Sequence, residues 1–369
     1  MRGSFTSVRR LLLASVACVL GAAALTFAVD PLQLFRPSRL IAPFYSDDTR
    51  MQNAGLIRSQ SFDTAFIGTS LAIHFRQSDI DRALGVHSLK LAMTGSNSRQ
   101  QGFVLEQAID RGARRVIWAM DDFSFVDAAG IEADPYLSVD LYRRTAKGIA
   151  AYLFNAAMAK ESLFALLRSI PPLREPLTRA APFLPVKFAL FDVDEIYALP
   201  RDFDVARAYN AERTRAAFAY ITDPVRSSFL GEGYGYDAMV RHFERDAVGL
   251  ITRHPDVTFD IYFPPYSILQ FVAMRDASPA TLKIVIDLTA LIAPRLTQLP
   301  NVRLHDFRAI KAVTHDLNNY GDVIHHSPVI DAMVLKWLAS GEHRVDPKAP
   351  LAALEELKAQ VEAYRVPQP

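Results

Sequence analysis

The chain has 369 residues, 50% hydrophobic and 22% charged, which is enough apolar material for one large α/β core with an insertion or for two smaller domains, and too much for a disordered protein. Its 41 basic residues face 40 acidic ones, for a net charge of +1, and no long Lys/Arg run interleaved with aromatics occurs, so nothing recommends nucleic acid as a partner. The only cysteine, Cys18, excludes a disulfide framework and leaves the chain beyond it without a thiol nucleophile or a thiolate metal centre.

Leu11 to Val29 is an uncharged apolar run, preceded by Arg2, Arg9 and Arg10 and followed by Asp30. It is long enough to cross a bilayer as a helix, and the arginines predict a cytoplasmic N-terminus with the rest of the chain outside the cytoplasm. An uncleaved signal anchor is the preferred reading, and a signal peptide cut after Ala22-Ala23-Ala24 is its rival. Residues 1–36 are thus an anchor and lead-in, and 37–369 one α/β domain.

Beyond an extended lead-in from Asp30-Pro31 to Pro43, strand-like runs fall at Thr64 to Ser70, His87 to Gly95, Arg115 to Asp122, Val257 to Pro265 and Val302 to Phe307. Between the second and third, Arg99 to Arg111 places Phe103, Val104, Ala108 and Ile109 for an amphipathic helix; after the fifth, Ser327 to Ala339 is again helical. This alternation predicts a parallel sheet wrapped by helices. About 123–234 interrupts it as a largely helical insertion, with helical runs at Leu141 to Leu167 and Val205 to Ile221 around an irregular proline-rich stretch, Pro171 to Pro200. Tyr236 to Arg253 is the crossover into the fourth strand, and the insertion is expected to roof the sheet's C-terminal edge. A helix at about 349–365, with Leu351, Leu354, Leu357 and Val361 on one face, is expected to pack on its own domain.

Gly68-Thr69-Ser70 ends the first strand, where a small residue lets the chain turn sharply and present a hydroxyl at the ligand-binding end of an open α/β sheet. Asp322-Val323-Ile324-His325, far downstream, has the spacing that sets a carboxylate beside an imidazole able to deprotonate that serine. Ser70 is the candidate nucleophile, His325 the base and Asp322 its orienting partner. The competing readings are a helix-capping role for Ser70 and a shifted register that uses His326. His74 is assigned to packing or surface, and Asn318, Asn319 and Tyr320 to sugar contact or turn chemistry alike. A metal cluster of His315, Asp316, Asp322, His325 and His326 is the minor alternative.

With these blocks the chain resembles the SGNH (GDSL-like) hydrolase superfamily, in which a serine follows the first strand, a glycine the second, an Asn the third, and D-x-x-H comes near the end. Here they read Gly68-Thr69-Ser70-Leu71, Thr94-Gly95-Ser96-Asn97, Asp121-Asp122 and Asp322-Val323-Ile324-His325. The anchor, Asp30-Pro31, Phe263-Pro264-Pro265-Tyr266 and the late D-x-x-H-H look like the exported branch that includes alginate O-acetylation proteins and relatives in teichoic-acid D-alanylation. The resemblance implies a flavodoxin-like three-layer fold, and an oxyanion hole from the Ser70 and Gly95 amides with Asn97, since Asp121 and Asp122 stand where the superfamily has its Asn. It implies an extracytoplasmic serine esterase or O-acyltransferase that needs no cofactor or metal and acts on acyl esters of an envelope polysaccharide, with a membrane acyltransferase as possible partner. The alternative is a catalytically silent relative that binds polysaccharide or helps assemble an acyltransferase complex.

Overall fold

The computed structural model describes residues 2–38, 41, 43–46, 48–126, 137–186, 190, 192–196 and 204–366. The chain divides into two compact units, one made of Met1–Gln60 with Glu132–Ile196 and the other of Ser61–Ile131 with Tyr197–Pro369. The segment expected as a single insertion is therefore shared between them.

The first unit is helical. A 28-residue helix, Arg2–Val29, ends where Asp30 adopts φ 51°. The Asp30 carboxylate accepts from the amides of Leu34, Phe35 and Arg36 at 3.0, 2.8 and 3.2 Å and from the Tyr152 hydroxyl at 2.9 Å, so the first part of the lead-in, Asp30 to Arg36, is a hydrogen-bonded turn rather than extended chain; residues 39, 40 and 42 lie outside the described residues. The expected Leu141 to Leu167 helix is three helices, Val139–Tyr142, Ala146–Leu153 and Ala156–Ser169. Thr145 and Asn155 interrupt it because their side chains accept from amides of the following turn and start new helices. Pro171 to Pro200, expected to be irregular, opens with a helix, Pro171–Ala180. Its first two prolines sit where a helix has no amide to satisfy, so they start the helix instead of breaking it. Residues 187–189, 191 and 197–200 of that stretch lie outside the described residues.

The second unit holds the sheet. All five expected strands form, as β1 (Thr64–Ile67), β2 (Ser88–Lys90), β3 (Arg115–Ala119), β4 (Thr258–Phe263) and β5 (Val302–Asp306). They are all parallel in the order β2-β1-β3-β4-β5. Phe66, Ile117, Ala119 and Tyr262 face one side, against Ile80, Ile330, Val334 and Trp337 of the helices Gln77–Leu84 and Pro328–Ser340. On the other side the Trp118 indole donates to Gln101 of the helix Ser98–Asp110 at 2.7 Å. Helices thus cover both faces, which is why the strands read as continuous apolar runs. The C-terminal helix, Ala352–Ala363, buries Leu354, Leu357 and Val361, the last two in one cluster with Phe271 and Met274 of the helix Ile268–Ala277.

In this order the chain reverses direction across the sheet between β1 and β3, and the crevice at their C-terminal ends is where open α/β sheets bind ligands. Each expected strand is cut back by one to five residues at that end, because those residues leave the ladder to form loops. Gly68 marks the departure: a Cβ there would lie 2.7 Å from the Cβ atoms of both Ala119 and Ala72. A Gly68→Val protein is expected to lose about 1–3 kcal/mol of stability from overpacking, read by denaturant unfolding; an unchanged midpoint would mean that the turn has slack.

Candidate active site

Ser70 is the first residue of a short helix, Ser70–Ile73, that starts two residues beyond Gly68. The capping position belongs to Thr69, whose hydroxyl makes no cap bond, so Ser70 is not spent on capping. The Ser70 Oγ instead lies 2.9 Å from Nε2 of His325, and Nδ1 of His325 lies 2.6 Å from Oδ2 of Asp322. Oδ1 of Asp322 accepts from the amides of His325 at 2.7 Å and Ile324 at 2.8 Å, so one carboxylate both shapes the loop and aims the imidazole.

The electrostatics fit that arrangement. Burial pushes the His325 imidazole down, but the hydrogen bond and charge of Asp322, with the charge of Asp121, outweigh it and hold the ring above its ordinary value. Burial pushes Asp322 up, and its bonds to His325 and the two amides outweigh that and hold it below the usual carboxylate range. The carboxylate therefore stays charged wherever the imidazole gains a proton.

His326 does not compete. Its ring is buried against Phe75, and Nδ1 lies 3.1 Å from Oδ1 of buried Asp331, an ion-pair distance without hydrogen-bond alignment. Adjacent residues of an extended segment point to opposite sides, so one histidine faces the serine and the next the core. His74 lies beside His325, ring centroids 6.5 Å apart, and is pushed down to about 4 by burial and then by the His326, His325 and Lys90 charges, which keeps it neutral. The residues of the alternative metal cluster diverge: His315 bonds Gln360 at 3.0 Å, Asp316 caps the amide of Asn318, and among the described residues no three such side chains are placed to share an ion. Asn318, Asn319 and Tyr320 are framework. Asn318 accepts from Ala211, Asn319 donates to the carbonyl of Val313, and the buried Tyr320 hydroxyl donates to that of Pro265.

The β2 loop runs beside the nucleophile turn, its Met93 amide donating to the carbonyl of Gly68 at 2.9 Å. Gly95 follows with φ 61°, a conformation that a glycine takes at little cost. Ser96 is tied down by Gln101 at 2.9 Å. Among the described residues, the Ser70 and Gly95 amides have no acceptor. Asn97 caps the helix Ser98–Asp110 through Oδ1, which accepts from Gln100 at 2.9 Å and leaves Nδ2 without a partner there. Two amides and a carboxamide of the nucleophile turn and the β2 loop are therefore without a partner among the described residues.

Asp121, at the end of β3, is completely buried, and both its oxygens are engaged: Oδ2 accepts from Thr69 Oγ1 at 2.5 Å and Oδ1 from the Tyr266 hydroxyl at 2.6 Å. Burial drives it up to about 7, against the lowering effect of the two hydroxyls and with a further push from Asp122, which itself accepts from Tyr234 at 3.1 Å. Thr69, Tyr266 and Tyr234 are the site residues that the sequence reading missed. Thr69 and Tyr266 stood inside quoted motifs, Gly68-Thr69-Ser70 and Phe263-Pro264-Pro265-Tyr266, without a role, and nothing in the sequence pointed to Tyr234.

Part of the expected insertion belongs to this unit and supports the site. The Thr214 hydroxyl donates to the carbonyls of Leu317 and Tyr320, and the Asn210 amide to that of Tyr320, bracing the loop that carries Asp322 and His325 from behind. No protein-family model matches the chain, and no curated protein does so either.

Proposed function

We propose that the chain is a membrane-anchored, extracytoplasmic ester hydrolase or O-acyltransferase of the SGNH type, acting on small acyl esters of an envelope polysaccharide. The observation that carries the chemistry is the unbroken chain from Ser70 through His325 to Asp322. Ser70 Oγ attacks the acyl carbon while its proton passes to Nε2 of His325, and Asp322 steadies the imidazolium. The oxyanion is met by the Ser70 and Gly95 amides and by Asn97 Nδ2, a type of contribution worth about 3 kcal/mol per donor elsewhere. Collapse expels the alcohol, which takes the proton from His325, and leaves an acyl-serine. Water or a sugar hydroxyl then attacks it with the same histidine as base, so hydrolase and transferase differ only in the acceptor that arrives.

Asp121 favours a second reading, a silent binding relative, since it supplies no amide where the superfamily has one. Both its oxygens are engaged by the Thr69 and Tyr266 hydroxyls, which gives the carboxyl a structural role and supports the enzyme. The deciding experiment is labelling with a fluorophosphonate followed by peptide mapping. Modification at Ser70 is expected, whereas Ser96 and Ser267 are buried and should stay free. Protein that neither labels nor turns over any acylated sugar would establish the binding relative.

The anchor rests on the helix segment Val8–Val29, apolar enough and long enough to span. Ala23, Thr26 and Val29 are buried within the first unit, which ties the end of the segment into the folded protein and supports retention over cleavage after Ala24. An export-dependent reporter fused after Val29 is expected to be active and a cytoplasmic one silent; the reverse would overturn the location and the envelope substrate together.

A further inference from the structure

The first unit carries an apolar surface that the ester chemistry does not use. In the helix Ala156–Ser169 and its C-cap, Leu163, Leu166, Leu167 and Ile170 recur at i, i+3, i+4 and i+7, the spacing of one helical face. That face would ordinarily be turned to a core. Here the four side chains are 48%, 41%, 37% and 41% exposed, while Met158, Phe164 and Ala165 take the buried side. The next helix, Pro171–Ala180, buries no residue and adds Leu173, 39% exposed.

What lies beside this surface points to its occupant. The helix Ala156–Ser169 packs against Arg2–Val29, in the same compact unit. Along the apolar segment, residues 8–20 are exposed all round, and burial is confined to the last two turns, at Ala23, Thr26 and Val29. The 22 residues Val8–Val29 extend about 33 Å at the helical rise, against a hydrocarbon core of about 30 Å. Their last two turns, about 11 Å long, therefore run from the outer acyl chains to the headgroup boundary of the leaflet where the chain emerges, and a helix packed on those turns lies at that depth too. Interfacial helices sit there with their apolar face about 5–10 Å into the lipid. The charge agrees: Lys160, Arg168, Arg174 and Arg179 outnumber Glu161 and Glu175 between Ala156 and Ala180, as suits anionic headgroups.

We infer that the stripe of Leu163, Leu166, Leu167 and Ile170, continued by Leu173, is a lipid-contacting surface embedded in the leaflet beside the span, its partner being the acyl chains of a phospholipid monolayer with anionic headgroups. It rests on the reading of Val8–Val29 as a membrane anchor. The contact gives the first unit a second hold on the bilayer and fixes its rotation about the span, which a single helix leaves free.

The test uses the full chain in vesicles of phosphatidylethanolamine and phosphatidylglycerol, with an environment-sensitive fluorophore on single cysteines. Native Cys18, exposed within the apolar segment, reports on the span. Leu163→Cys, Leu167→Cys and Ile170→Cys, each combined with Cys18→Ser, report on the stripe. The stripe labels should shift to the blue and be quenched about twofold more by a nitroxide near the headgroup than by one near the chain terminus, and Cys18 should show the opposite preference. Deep quenching at Cys18 with stripe labels that stay water-like would overturn the inference and leave the anchor standing. Blue-shifted stripe labels that no lipid-borne nitroxide quenches would overturn it in favour of a protein partner, a second copy of the chain. A Cys18 label that remains in water would remove the anchor, and the inference with it.

Discussion

Turnover of a small activated ester is expected to fall by about three to six orders of magnitude in Ser70→Ala protein. No other described hydroxyl stands at hydrogen-bond distance from Nε2 of His325, so no neighbour can take over as nucleophile. Stability should hardly change, by about 1 kcal/mol or less, since one half-exposed hydroxyl leaves a histidine that water can satisfy. The pair of results separates catalysis from folding. Equal losses of activity and stability, or full activity in the variant, would remove Ser70 from its role; labelling at a different serine would move the site.

The parts of this site that are local in sequence were legible, and those that depend on distant pairing were not. Five strands could be placed because a strand buried on both faces shows as an uninterrupted apolar run, as in Thr64-Ala65-Phe66-Ile67. Ser70 and Asp322 with His325 were legible because a serine after a strand-ending glycine and a D-x-x-H are short motifs. Their meeting across 255 positions is a property of the sheet order. Asp121 illustrates the limit. Its position after β3 was plain, yet its partners, Thr69 and Tyr266, stand 52 and 145 residues away, and no periodicity links them. The prolines of Pro171-Pro172 misled for the opposite reason: the same residue that breaks a helix inside starts one at its first turn. The exposed apolar stripe of the helix Ala156–Ser169 shows a third limit. The sequence showed a helical run there, Leu141 to Leu167, but not which of its faces would be buried; the exposure of Leu163, Leu166 and Leu167 comes only from the packing.

Two adjacent histidines give the second large effect, and the expected pattern is crossed. His325→Ala should abolish turnover and leave stability nearly intact, because the ring is about one-third exposed and its partners can turn to water. His326→Ala should keep turnover per folded molecule and cost about 1–3 kcal/mol, since it removes a buried ring that packs on Phe75 and leaves a void beside buried Asp331. The pH profile supplies the sign. A general base works only when unprotonated, so kcat/KM must rise with pH through the imidazole's pKa, which Asp322 and Asp121 together hold above its ordinary value. Removing a nearby negative charge destabilises the imidazolium and lowers that pKa; Asp121→Asn should therefore move the acid limb to lower pH. Because Asp121 itself sits at about 7, the unaltered protein should show a limb belonging to the coupled pair, and Asp121→Asn a simpler one. Of the two hydroxyls that now donate to Asp121, one can go on donating to the amide oxygen and the other can turn to accept from the new amide nitrogen, so the fold should survive. An acid limb that stays put in Asp121→Asn would mean that the buried carboxyl carries no charge at working pH, and a limb that moves upward would contradict its placement beside His325.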